Sequence, residues 1–149
     1  MVGGGCRGLR LARDLVAEGH AVRAVTRSDE RRAAIEAAGC ECWIGDPDRI
    51  GTLRYALDNV TVLLWLMGRA PEGELHGSRL TMMMERTIDT TVRGVVYEGT
   101  KAGAAVVQRM ASYNEIPYAL LDVPRDDRDA WVDAVLGAID GILAAPRGR

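Results

Sequence analysis

Eight residues at the start of the chain, Met1-Val2-Gly3-Gly4-Gly5-Cys6-Arg7-Gly8, constrain its fold more than any other stretch. Gly3, Gly5 and Gly8 carry the G-x-G-x-x-G spacing, in which each glycine has its own physical reason. One makes a tight turn off a strand, one lets backbone approach a pyrophosphate closely, and one lets a helix pack closely on the strand. The helical pattern of residues 9–19 follows at once, so its N-terminal N–H groups and the positive end of its dipole would face the same point. Such a triplet is common by itself. Here the rest of the chain continues it.

Gly19-His20 closes this helix, and residues 21–26 read as a strand. Ser28 is placed to cap a second helix that has Asp29 and Glu30 in its first turn and stops at Gly39. Residues 40–44 form a third short strand ended by Gly45-Asp46-Pro47. Ile50, Leu53 and Leu57 share one helical face, which predicts a third helix. Residues 60–67 are a continuous apolar run around Trp65, the pattern of a strand buried on both faces. Residues 68–77 make the longest connection, read either as a lid or substrate contact or as a solvated connector. Leu80, Met83, Met84, Thr87 and Ile88 give a fourth helical face, with the run Met82-Met83-Met84 read as gap-filling core. A strand at 92–97, a helix through Ala102 to Met110, a strand at 117–123 and a helix through Trp131 to Ile142 complete the pattern.

Strand and helix thus alternate about six times with short connections. This predicts an α/β doubly wound parallel sheet of order 3-2-1-4-5-6, a single domain over 1–149, with a truncated first strand because only Met1 and Val2 precede the first glycine.

Composition narrows the class. At 149 residues, 48% hydrophobic and 27% charged, the chain suits a globular core. A formal charge of −2 gives no basis for nucleic acid as a partner. No apolar run reaches the roughly 18 residues that span a bilayer, so no membrane segment is expected. Cys6, Cys40 and Cys42 cannot all pair within the chain, which favours a reducing, cytoplasmic location. With only two histidines to add, no metal site is expected, and Cys40 and Cys42 read as core thiols.

These residues resemble the atypical short-chain dehydrogenase/reductase families, the NmrA-like NAD(P)-binding Rossmann branch in particular. The likeness lies in the first half: the glycine turn at 3–8, Gly-His-Ala-Val-Arg-Ala-Val-Thr-Arg-Ser at 19–28, and Gly-Asp-Pro-Asp at 45–48 followed by Leu53 and Ala56-Leu57. The resemblance implies that Asp46 lies by the adenine of a dinucleotide and that Arg27 faces the 2′-phosphate of NADP. Local chemistry agrees, since an NAD site wants a carboxylate after the second strand and this chain has Thr26-Arg27-Ser28 there. A guanidinium can pair with phosphate in two-pronged fashion, Ser28 can add a donor, and Arg27 as a plain surface arginine is the alternative. The expected cofactor set is therefore Gly3, Gly5, Cys6, Arg7, Gly8, Arg27, Ser28, Asp46 and the strand end Leu66, Met67 and Gly68, with NADP expected over NAD.

For chemistry, Tyr97-Glu98-Gly99-Thr100-Lys101 matches the Tyr-x-x-x-Lys pattern of catalytic short-chain dehydrogenases. In those enzymes the pair sits at i and i+4 on one helix, and the lysine lowers the tyrosine pKa. Here residues 92–96 lead into Tyr97 as a strand and Thr100 suits an N-cap, which would separate Tyr97 from Lys101. The family's companion serine or threonine is not evident, and only one helix follows the sixth strand. Two functions fit: an NADP-binding oxidoreductase, weak or partner-dependent, or a non-enzymatic NAD(P)-sensing module. A Rossmann remnant that binds nothing is the blander alternative. A second pocket lined by residues 66–77 and 97–101 would favour the enzyme. A small-molecule substrate and a second copy of the chain, as a homodimer, are the further partners to consider.

Overall fold

The computed structural model describes residues 1–124 and 126–146. Among the described residues there are six strands: β1 Val2–Gly3, β2 Arg23–Thr26, β3 Glu41–Ile44, β4 Val62–Leu66, β5 Gly94–Glu98 and β6 Tyr118–Leu120. Five helices accompany them: α1 Gly5–Ala17, α2 Arg32–Ala37, α3 Ser78–Thr87, α4 Lys101–Tyr113 and α5 Arg128–Ala144. Every strand pairing is parallel, with β1, β4, β5 and β6 in one ladder and β2 with β3 in another.

Met1 joins the two ladders. Its amine donates to the Arg23 carbonyl at 2.7 Å and its own carbonyl accepts from Val25 N–H at 3.0 Å. The combined order is 3-2-1-4-5-6. Behind β1, toward the N-terminal ends of β2 and β4, the sheet leaves a cavity of about 440 Å³ walled by Val22, Val62, Leu64, Ile139 and Leu143. A longer first strand would occupy that space.

Alternation along β4 and β5 fixes the layers, because successive side chains of a strand point to opposite faces. Leu64, Leu66 and Val96 pack against Leu11 and Leu15 of α1 and Trp131, Val135 and Ile139 of α5. Leu63, Trp65, Val95 and Tyr97 pack on the other side against Leu80, Met83 and Met84 of α3 and Val107 and Ala111 of α4. Met83 and Met84 are buried core, whereas Met82 is exposed. All three cysteines are free, with Cys40 buried and Cys6 exposed.

The expected helix over Ile50, Leu53 and Leu57 is absent. Ile50–Leu53 is a 3₁₀ segment continued by turns, with bonds spanning three residues from Leu53 to Ala56 and from Leu57 to Val60. Gly51 is a poor helix residue, and the Thr52 hydroxyl bonds the Arg49 carbonyl. The apolar face is still used, since Ile50, Leu53, Ala56 and Leu57 are all buried. The second helix is likewise shortened, beginning at Arg32 after a 3₁₀ turn at Asp29–Arg31, and Ser28 makes no side-chain cap. β6 runs for three residues, Tyr118–Leu120, where the apolar pattern of 117–123 suggested more.

Candidate functional site

The glycine turn is built as its residue types require. Gly3, Gly4 and Gly5 all have φ between 56° and 94°, a region side chains rarely adopt. A Cβ on Gly3 would run into the Leu66 carbonyl oxygen, while a Cβ on Gly5 would meet nothing within 4 Å and would project into open space. Helix α1 starts there with Gly4 as N-cap, no side-chain cap and no acid in its first turn. Its first N–H groups therefore keep their donor capacity for an anion.

That open space is one end of a cleft of about 510 Å³ at the C-terminal ends of the strands. Gly3 and Gly5, then Arg27 and Ser28, then Asp46 and Met67 all line it. Six of the residues expected to touch a cofactor thus face one cavity, although they come from four separate segments. Asp46 is held in place by its loop: its N–H donates to the Thr52 hydroxyl at 2.8 Å and its carboxylate accepts from Asp48 N–H at 2.9 Å. Arg31, which no motif singles out, also lines the cleft and reaches the Gly5 carbonyl at 3.5 Å. Leu66, Cys6, Gly8 and Gly68 lie outside the lining. Leu66 is interior, Gly8 packs under the turn against Gly3, and Cys6 faces outward.

Arg7 turns inward. It is 4% exposed, donates through Nη2 to Glu98 Oε1 at 3.3 Å, and lays its guanidinium 4.3 Å from the Trp131 ring centroid. Trp131 completes the group by donating its indole N–H to Glu98 Oε2 at 2.8 Å. Gly68 roofs this carboxylate, since a Cβ there would collide with the Glu98 side chain. The charge beneath the turn thus ties β5, α1 and α5 together, with Nε and Nη1 of Arg7 lacking a hydrogen-bond partner.

Tyr97 lies in β5 and is 2% exposed, whereas Lys101 opens α4 and is exposed. Thr100 caps α4, its hydroxyl accepting from Gly103 N–H at 3.1 Å. The Tyr97 hydroxyl is fully engaged. His76 Nε2 faces the Ala70 carbonyl at 3.2 Å, which can only accept, so the proton sits on Nε2 and Nδ1 accepts from Tyr97 at 2.7 Å. The Tyr97 oxygen in turn accepts from Thr100 N–H at 3.0 Å. Burial pushes the phenol pKa above its ordinary value, partly offset by the Thr100 bonds. No hydrogen bond or ion pair joins Tyr97 to Lys101 among the described residues.

His76 and Ala70 belong to the long connection, so this connection is fastened down. Trp65 adds a further tie through its indole N–H to the Leu75 carbonyl at 3.2 Å. Beside the cleft, and sharing Ala70 and Pro71 with it, lies a bay of about 490 Å³ lined by Arg69, Glu72, Thr100 and Lys101 as well. It falls within residues 66–77 and 97–101. No helix among the described residues is long and apolar enough to cross a membrane.

No family model and no curated protein matches the sequence. Solved structures do match its fold. Triphenylmethane reductase from Citrobacter sp., complexed with NADP(H), is 20% identical, with a TM-score of 0.61 over 80% of this chain and 47% of that one. The NADPH-dependent quinone oxidoreductase QOR2 of Escherichia coli, complexed with NADPH, is 16% identical, with a TM-score of 0.66 over 94% and 53%. A UDP-glucuronic acid 4-epimerase from Bacillus cereus in complex with NAD is 11% identical, with a TM-score of 0.63 over 86% and 58%. The chain spans about half the length of these structures. Its fold is the α/β Rossmann fold that these structures share.

Proposed function

We propose that this chain is an NADP(H)-binding domain of the atypical short-chain reductase type that serves an oxidoreductase reaction. The observation that carries the reading is the single cleft onto which Gly3, Gly5, Arg27, Ser28, Asp46 and Met67 converge. In it the glycine turn and the uncapped start of α1 would hold the pyrophosphate, Asp46 would stand by the adenine, and Arg27 with Ser28 would take the 2′-phosphate. Arg31, already bonded to the Gly5 carbonyl, would bring a second guanidinium to the phosphate-binding side. Arg7 acts differently, stiffening the turn from below through Glu98. Citrobacter and Escherichia coli reductases of the same fold that were solved with NADP(H) support this choice of cofactor.

The bound cofactor would supply a hydride, and the bay beyond Ala70 and Pro71 is where an acceptor would lie. A second reading, binding without turnover, draws on Tyr97, which is buried and whose hydroxyl is engaged by His76 and Thr100. Titrating NADPH and NADH into the purified protein tests the cofactor claim, with NADPH expected to bind at least about ten-fold more tightly. Equal affinities, or none, would reject it. Steady oxidation of NADPH by a carbonyl or quinone panel would then separate the enzyme from the sensor.

A further inference from the structure

We infer that the bay beside the cleft binds the carboxylate of a small organic acid, gripped between Arg69 and Lys101. The inference rests on the reductase reading and names the class of molecule its second pocket takes. Arg69 comes from the connection after β4 and Lys101 from the first turn of α4, and both line one open cavity of about 490 Å³. Both side chains are exposed, and neither has an ion-pair or hydrogen-bond partner among the described residues. Elsewhere the chain pairs several of its guanidinium groups: Arg7 with Glu98, Arg23 with Glu41, Arg32 with Asp29, Arg79 with Glu74. Of the 19 basic residues, Lys101 is the only lysine. A compact ammonium opposite a planar guanidinium can take the two oxygens of one carboxylate, the arginine as a fork and the lysine as a point charge.

The sign and size of the charge select the ligand. Arg69 and Lys101 bring two positive charges and Glu72 one negative, leaving the bay one positive charge. A single carboxylate balances that, whereas a phosphate dianion would leave a negative excess beside Glu72. Ala70 and Pro71 form the apolar stretch of wall between bay and cleft, so the body of the acid would lie toward the cofactor. The His76 bond to Tyr97 pins the connection that carries Arg69, so the cation is presented from a fixed backbone.

Benzoate, benzamide and phenyl phosphate are the probes, each titrated by calorimetry into the NADP⁺-saturated protein and into the protein alone. Benzoate is expected to bind at least about ten-fold more tightly than its neutral isostere benzamide, and more tightly than phenyl phosphate. Arg69→Ala and Lys101→Ala should each weaken benzoate about five-fold or more and leave benzamide unchanged. Both sites are exposed, and unchanged circular dichroism and melting would show that the variants fold. Reductive ¹³C-methylation gives a second readout, because the only lysine yields a single side-chain resonance that benzoate should shift. Equal affinity for benzoate and benzamide, tighter phenyl phosphate, or benzoate binding untouched by both substitutions would overturn the inference. Benzoate binding as described in a protein that takes up no NADPH would instead overturn the cofactor reading alone.

Discussion

The Tyr97 hydroxyl donates to His76 Nδ1 at 2.7 Å while accepting the Thr100 amide at 3.0 Å. One buried oxygen therefore holds a strand end, a helix cap and the long connection together. Tyr97→Phe leaves the Thr100 N–H and the His76 Nδ1 unpaired in the interior, each worth about 1–3 kcal/mol. Chemical denaturation should show a loss of about 2 kcal/mol or more, while NADPH affinity and any turnover stay within a few-fold of wild type. General acid–base residues contribute about 10²–10⁴-fold. A loss of turnover of about 100-fold with affinity and stability intact would make Tyr97 catalytic after all.

The Met1 amine gives a pH dependence. Burial, reinforced by the Arg23 guanidinium and opposed by Cys40, lowers its pKa from 8.0 to about 5 in the folded chain. Between these values the unfolded chain holds a proton that the folded chain has released, so stability rises with pH from about 5 to about 8 and levels off above. The same contribution is lost as pH falls toward 5. At about 1.36 kcal/mol per pKa unit the gain is up to about 4 kcal/mol. Urea unfolding across this range should show the slope, and acetylating the Met1 amine should remove it. A slope that survives acetylation would belong to another group.

The cavity of about 440 Å³ behind Met1 makes a separate forecast. Three or four apolar β-branched residues added ahead of Met1 can extend β1 between β2 and β4. Each ladder bond is worth roughly 0.5–1.5 kcal/mol and each buried aliphatic side chain about 1.5–3. For a domain of this size about 1 kcal/mol moves Tm by roughly 2–4 °C, so calorimetry should show a rise of about 5 °C or more, with tighter NADPH binding. An unchanged Tm would mean that the slot does not accept a strand.

Much of this was legible in the residues. The glycine spacing, the six-fold alternation and the two-sided burial of residues 62–66 each follow from local chemistry, and together they dictate the sheet order. The placement of Thr26-Arg27-Ser28 and Asp46 just past strand ends, on one cleft, was also readable, because it depends only on where the strands stop. What escaped was long-range. Arg7 looked outward from a phosphate turn, yet Glu98 and Trp131, both far along the chain, draw it inside. His76 carried no signal of its own until the fold set it against Tyr97, 21 positions on. The segment after Ile50 kept a helical spacing of apolar residues while Gly51 and Thr52 turned its backbone to 3₁₀.

In the proposed site Arg27 would read a 2′-phosphate within the cleft that it lines together with the glycine turn. The most direct measurement is calorimetric titration of NADPH and NADH into wild-type protein and Arg27→Ala. A charge-assisted bond to phosphate is worth about 1.5–3 kcal/mol, so the substitution should weaken NADPH roughly ten-fold or more and leave NADH nearly unchanged. Equal weakening of both cofactors, or no change in either, would contradict the assignment.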